Sequence, residues 1–286
     1  MSLGPDQSQP GPDAAPLVGQ SVGKYRITRV VGRGGMGTVY EAVNTAIGKR
    51  VAMKFIDAAL AGSEEAVARF QREALAASAV ESPHIVQIFD AGTGEDGAPY
   101  LVMELLRGSD LGAHISRLGR LDLAETLPIT AQILRGLHHA HAAGIVHRDL
   151  KPDNVFLVER EDEPLSVKLL DFGVSKIAFG RDVPLQTLTR QGTVVGTPYY
   201  MSPEQAQACP DVDGRSDVYS VGAILYECLS GRPPHMGRSY EQVIVNICTK
   251  DPEDIRLHNP AVPEPVARVL AKALARERDE RYGSAR

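Results

Sequence analysis

Within eight residues, His147-Arg148-Asp149-Leu150-Lys151-Pro152-Asp153-Asn154, the chain sets charged side chains, an amide and a helix-breaking proline side by side. Such a run does not fill a core. It follows a helix predicted to stop at Gly144, so it reads as a loop. Asp149 is placed to accept a hydroxyl proton, Lys151 to neutralise charge on a phosphoryl group in transfer, and Asn154 to offer an amide oxygen to a hard cation. Further on, Leu169-Leu170-Asp171-Phe172-Gly173 adds a carboxylate. Residues 155–158 and 167–170 are strand-like and flank an acidic turn containing a proline. A hairpin there returns Asp171 beside Asn154, within about one inter-strand spacing, ~5 Å. An acid and an amide adjacent at a strand end suit magnesium, with Asn154 and Asp171 as its ligands.

A third cluster lies near the start of the chain. Gly32-Arg33-Gly34-Gly35-Met36-Gly37 fits a phosphate-cradling glycine loop, and equally the glycine fingerprint of dinucleotide sites. A dinucleotide site needs a helix after the glycines, whereas Thr38-Val39-Tyr40-Glu41-Ala42-Val43 continues as an alternating, β-branched strand. The loop therefore joins two strands and can lie over a phosphate chain with its N–H groups. On the next strand Ala52, Lys54 and Ile56 share a face, and folding about the turn at 44–49 sets Val39 opposite Lys54. A lysine on an inner face needs a partner. Glu73, on an amphipathic helix predicted over 63–80, supplies one and would hold Lys54 extended toward phosphate.

The elements that must position these groups change character along the chain. Residues 1–20 are rich in Pro, Gly, Asp and Gln and read as a disordered leader. Strands are expected at 25–33, 37–43, 50–57, 84–89 and 99–103, followed by helices at 123–143, 214–230, 240–249 and 264–275. This is an α+β chain with a β-rich lobe joined by a short link to a larger, mainly helical lobe, and ligands favour the crevice between such lobes. Of 286 residues, 31 are Lys or Arg and 36 Asp or Glu, a net charge of -5 that argues against nucleic acid as a partner. Three cysteines without metal spacing point to reduced thiols and a cytoplasmic setting. No run of about 18 apolar residues offers a membrane span. His138, His139 and His141 lie on one helix without a carboxylate or thiol at ligand spacing, and a structural role with His141 packed near the loop is expected.

Taken together, the glycine loop, strand lysine, helix glutamate, catalytic-type loop and Asp171-Phe172-Gly173 resemble the eukaryotic-type (Hanks-type) serine/threonine protein kinases, in that family's order and spacing. The wording of the glycine loop and of Ala140-His141 through Gly144-Ile145-Val146-His147 is most similar to the bacterial branch. The resemblance runs from about Val22 to the end. It implies the bilobal protein kinase fold, with an N-lobe at 21–103, a hinge at 104–107 and a C-lobe at 108–286. It also implies transfer of the γ-phosphate of ATP, with Mg2+, to Ser or Thr hydroxyls of proteins.

Carried over residue by residue, the resemblance makes Asp149 the base that orients the substrate and gives Lys151 to serine/threonine specificity. Lys54, Glu73, Asn154 and Asp171 complete the catalytic set. ATP would be held by Val31, Gly32, Arg33, Gly34, Gly35, Met36, Gly37, Thr38, Val39, Ala52 and Lys54. Met103 would be the gatekeeper, Glu104 and Leu106 would offer backbone groups to adenine, and Phe156 would lie below the ring. An activation loop from Asp171 to Glu204 would carry a phosphorylated threonine among Thr187, Thr189 and Thr193, paired with Arg148. Gly196 to Glu204 resembles the shelf for a polypeptide substrate, with Thr197 near Asp149. Asp217 would brace the catalytic loop and Arg281 would pair with Glu204, while Arg278 stands where the family has proline. Trans-autophosphorylation implies a homodimer among the partners. The final helix of the family stops short here, which leads us to expect a fragment of a longer protein with a sensor or a membrane segment downstream, this piece being its cytoplasmic domain. Two other readings share this fold: a scaffold without turnover, which usually lacks a catalytic residue, and a small-molecule kinase, which would not need the 196–204 shelf.

Overall fold

β-branched and aromatic residues alternate with polar ones from Tyr25 onward, and the chain answers with an antiparallel sheet. The computed structural model describes residues 17–34, 37–56, 78–95, 97–159, 161, 164–172 and 198–286. Its first sheet has six strands: β1 (Ser21–Val22), β2 (Tyr25–Gly34), β3 (Gly37–Asn44), β4 (Arg50–Ile56), β5 (Ile88–Thr93) and β6 (Pro99–Glu104). Their order is β1-β2-β3-β4-β6-β5. One face buries Tyr25, Ile27, Tyr40, Ala42, Val51, Met53 and Val102 in the core of this lobe. Leu17–Gln20, placed in the leader by the sequence, are instead hydrogen-bonded: Gly19 N–H donates to Ile27 O at 2.9 Å, and Leu17 packs on the same core.

A second, three-stranded antiparallel sheet follows, of β7 (Gly108–Asp110), β8 (Val155–Val158) and β9 (Ser166–Leu169). Between its first two strands lie α1 (Leu111–Leu118) and α2 (Leu123–Ala142). Each starts at an aspartate whose side chain accepts from the third residue of the helix, Asp110 from Ala113 at 2.7 Å and Asp122 from Glu125 at 2.8 Å. The chain leaves α2 through Gly144 at φ +75°, which a glycine adopts without strain. The short helix α3 (Pro203–Ala206) opens with a reciprocal cap between Ser202 and Gln205. It is followed by α4 (Gly214–Ser230), α5 (Tyr240–Thr249) and α6 (Glu264–Ala273).

Helix α4 is buried along nearly its whole length and is the axis of the helical lobe. Ile129, Ile133, Leu137 and Ala140 of α2 pack with Val155, Leu157, Val167 and Leu169 of the small sheet and with Val221 and Ile224 of α4. That cluster is the platform beneath the cleft. Among the described residues no helix is long and apolar enough to cross a membrane.

Three expectations need correction. The strand predicted at 84–89 begins only at Ile88, because His84–Val86 pair with the other lobe: Leu169 N–H donates to His84 O at 2.8 Å and Val86 N–H to Leu169 O at 3.0 Å. The last predicted helix ends at Ala273, not 275. The helices α1 and α3 and the strands β1 and β7 were not anticipated. Most of the helix predicted at 63–80, with Glu73, lies outside the described residues, as do Gly35, Met36, Gly173, Thr187, Thr189, Thr193, Gly196 and Thr197.

Candidate active site

The catalytic-type loop hangs from the most buried helix. Asp217, 1% exposed near the start of α4, accepts from His147 N–H at 2.8 Å and from Arg148 N–H at 2.9 Å, and pairs with His141 Nε2 at 2.7 Å. Two consecutive loop amides are thus held by one carboxylate, and Arg148, which carries the second, sits at φ +63°. A non-glycine residue in that region is strained by about 1–3 kcal/mol and persists only where its surroundings fix it. Gln205 Nε2 adds a bond to Arg148 O at 2.7 Å. His141 therefore braces the loop, in the role the sequence reading gave it.

Behind the loop, His147 Nε2 lies 2.9 Å from Leu170 O, and its ring stacks 4.7 Å from that of Phe172. The hairpin of β8 and β9 does what the sequence demanded of it. Val155 pairs with Leu169, and Leu170 N–H donates to Asn154 O at 2.9 Å, so Asp171 emerges beside Asn154. Asn154, 6% exposed, donates its amide to Asp149 O at 2.7 Å and approaches Asp149 Oδ2 at 3.4 Å. With its nitrogen so occupied, the Asn154 amide presents its oxygen. Asp171 is at φ +53°, a second strained residue in the same site.

From above, β4 lowers Lys54, whose Cα partner across the β3 pair is Val39, as the turn length requires. Lys54 Nζ reaches Asp171 Oδ2 at 2.5 Å. Burial by itself would raise the Asp171 carboxyl, but the charge and hydrogen bond of Lys54, with His147 and Lys151 beyond, hold it below the ordinary carboxylate range. Asp149, Asn154, Asp171 and Lys54 therefore line one cleft, with Lys151 half-buried on the same loop. Sequence reasoning paired Lys54 with Glu73, and the partner seen among the described residues is Asp171.

The cleft's other walls are placed as follows. Val31 and Gly32 are exposed near the end of β2, Arg33 and Gly34 follow, and Gly37 and Thr38 begin β3. Gly37 has φ +145°, and a Cβ there would come within 1.9 Å of Phe55 O, so the close approach of β3 to β4 needs glycine at this position. Ala52 pairs with Met103 across β4 and β6, and Leu106 follows the last strand residue, Glu104. Phe156 on β8 faces up from the small sheet beside Lys168 of β9. Sequence reasoning did not single out Lys168, which bonds Glu104; no motif marks it.

Farther out, Arg281 grips Glu204 with two bonds of 2.8 Å, both residues buried, and Ser216 donates to the same carboxylate. This matches the pairing the resemblance implied. Tyr200, on the turn Pro198–Tyr200 before α3, donates to Glu227 Oε2 at 2.5 Å. The Nε of Arg148 is buried with no hydrogen-bond partner among the described residues.

A two-lobed α+β fold with a glycine turn, a lysine and an amide-carboxylate pair around one cleft is the architecture of a phosphotransferase. The comparisons with known proteins give it its family. Residues 25–286 match the family described as "Protein kinase domain", and the chain belongs to the protein kinase family. It is 39% identical over 277 residues to the serine/threonine-protein kinase pkn3 of Myxococcus xanthus, covering 96% of this chain and 50% of that protein. It is 36% identical to PrkC of Bacillus subtilis, covering 94% of this chain and 40% of that one. The chain thus spans half or less of these relatives' lengths. Among solved structures, the kinase domain of Mycobacterium tuberculosis PknI superposes with a TM-score of 0.74 at 28% identity, 94% of each chain being covered. A Rad53 fragment in complex with AMP-PNP gives 0.73 at 27% identity, covering 92% of this chain and 63% of that one.

Proposed function

We propose that this chain is the catalytic domain of a serine/threonine protein kinase, binding ATP between its lobes and passing the terminal phosphate to protein hydroxyls. The observation that carries this is the convergence of Lys54, Asp149, Asn154 and Asp171 on one cleft, from two lobes and three separate stretches of sequence.

The donor set suits the nucleotide and its cation. Asn154 presents an amide oxygen and Asp171 an ionised carboxylate, the hard oxygen ligands that magnesium prefers. Bound magnesium would neutralise charge on the phosphates. The chain's own residues supply the rest. Lys54 and the amides of Gly32 to Thr38, Gly35 and Met36 among them, fix the phosphate chain. Val31, Val39, Ala52, Met103 and Phe156 enclose the base. The N–H of Glu104 is committed to Gln87 O at 3.0 Å, so backbone recognition of the base falls to the Glu104 carbonyl and to Leu106. Asp149 orients the incoming hydroxyl, Lys151 offsets charge on the transferring group, and Glu73 steadies Lys54. Positioning and charge stabilisation account for most of the acceleration.

Regulation follows from Arg148. Among the described residues the buried Arg148 Nε has no partner, and a phosphate on Thr187, Thr189 or Thr193 would satisfy it. Autophosphorylation between two copies of the chain would put it there.

The test is incubation of the purified protein with labelled ATP, magnesium and a generic protein substrate, followed by mass spectrometry. Phosphate on Ser or Thr is expected, with at least one of the three threonines modified. The same incorporation by an Asp149→Asn variant would assign the activity to a contaminant. A metabolite accepting phosphate faster than any protein would replace the substrate class.

A further inference from the structure

Lys168 belongs to no catalytic motif, yet it ties the lobes together at the back of the cleft. Its side chain, 12% exposed, leaves β9 and donates to Glu104 Oε1 at 2.5 Å and to Ile85 O at 3.2 Å. The same Glu104 oxygen accepts from Gln87 N–H at 2.8 Å, and Glu104 N–H returns a bond to Gln87 O. The strand end that leads into the interlobe link is thereby held from two sides, by Gln87 and by a cation from the helical lobe's sheet.

Packing does not ask for a lysine here. Val167 and Leu169, each 0% exposed, already anchor β9 in the core, and Lys168 points the other way. Across the β8–β9 pair its Cα partner is Phe156, and antiparallel partners stand on the same face of a sheet. Lys168 and Phe156 therefore rise together toward the cleft, one to meet Glu104 and the other to form the floor. A charge-assisted bond made by a mostly buried lysine is stronger and more directional than an exposed ion pair, which contributes little.

We propose that Lys168 is a positioning residue for the nucleotide base: by holding Glu104 at a set height above Phe156, it fixes the width of the slot the base enters. This rests on the reading of the cleft as a nucleotide site. Lys168 does not reach the phosphates in this account, so its effect falls on the base end alone.

The proposal separates into measurable parts with adenosine and inorganic tripolyphosphate as probes of the two ends of the cleft. On the full chain, Lys168→Met is expected to weaken adenosine binding about tenfold and raise KM for ATP by a similar factor. Tripolyphosphate binding, kcat and KM for the protein substrate should stay within about twofold. Glu104→Gln should shift adenosine in the same direction, and the double variant should lose no more than Lys168→Met alone, because both remove one shared interaction. Lys168→Arg should recover most of the affinity. If Lys168→Met folds poorly, Glu104→Gln and Lys168→Arg carry the comparison. Unchanged adenosine affinity in these variants, or equal losses for both probes, overturns the role of Lys168 while leaving the cleft intact. A wild-type protein that binds neither probe overturns the nucleotide reading itself, and this proposal with it.

Discussion

The ammonium of Lys54 and the carboxylate of Asp171 meet at 2.5 Å although 117 residues separate them in sequence and they come from different lobes. One is set by the register of β3 against β4, the other by the hairpin of β8 and β9. Neither group is a packing residue, and their meeting defines the point where the two halves of the chemistry join.

Removing that ammonium should therefore cost activity far more than stability. Lys54→Met is expected to lower kcat/KM by at least about 100-fold, as loss of a preorganised charge contact does. The thermal midpoint should fall by only a few degrees, the effect of about 1–2 kcal/mol. Parallel kinetics and thermal melts check this, and a collapse of both together would contradict it.

The Glu204–Arg281 pair predicts the reverse pattern. Both side chains are buried, and deleting one leaves the other charge without compensation, so Arg281→Met should destabilise the fold by about 3–5 kcal/mol in chemical denaturation. The pair also has a pH signature. Burial would raise the Glu204 carboxyl, yet Arg281 and Ser216 bring it below its ordinary value. A lowered folded value means this stability is complete above the ordinary carboxylate range and is lost as pH falls through the folded value. Between pH 5 and pH 3, Glu204→Gln should lose less of its own stability than wild type loses.

His235 titrates against the fold in a different window. It is buried at 5% exposure, and burial pushes its imidazole down to about 4, only partly offset by Asp251. The unfolded chain takes up that proton at the ordinary histidine value, near 6.5, while the folded chain refuses it until about pH 4. Stability must decline as pH drops across that interval. His235→Gln should flatten the decline in melts recorded from pH 7 to pH 4.5, whatever it does to absolute stability.

Asp217 should couple the loop to catalysis without touching ATP. Asp217→Asn keeps one good acceptor and weakens the other contacts to His147, Arg148 and His141. A fall in kcat of at least about tenfold is expected, with KM for ATP nearly unchanged. A selective rise in KM for ATP would place Asp217 in a different role.

Much of the site was legible because its residues are chemically expensive where they sit. A lysine on an inner strand face and an Asp-Asn pair at a hairpin end have few bland explanations, and a short turn at 44–49 fixes Val39 against Lys54. The stretch at 84–87 misled for a physical reason. Its apolar residues read as a strand, but their backbone pairs with Leu169 of the other lobe, including a parallel bridge from Ile85, and local periodicity does not report a partner so far along the chain. Helix α1 was missed although its signals were present: Asp110 caps it, Leu111 and Ile115 form its buried stripe, and Gly119 ends it at φ +81°. Lys168 had no such signal, since its meaning lies in a bond to a residue 64 positions away.

The way Asp217 holds the loop has one more consequence. Because the acceptor for two adjacent loop amides belongs to a helix buried along nearly its whole length, the loop is expected to open together with that helix. Hydrogen exchange at His147 and Arg148 should proceed only through opening of the helical lobe as a whole, as slowly as in the core. Competence and integrity of that lobe then vanish in one step, and a partly unravelled molecule retains no trace of activity.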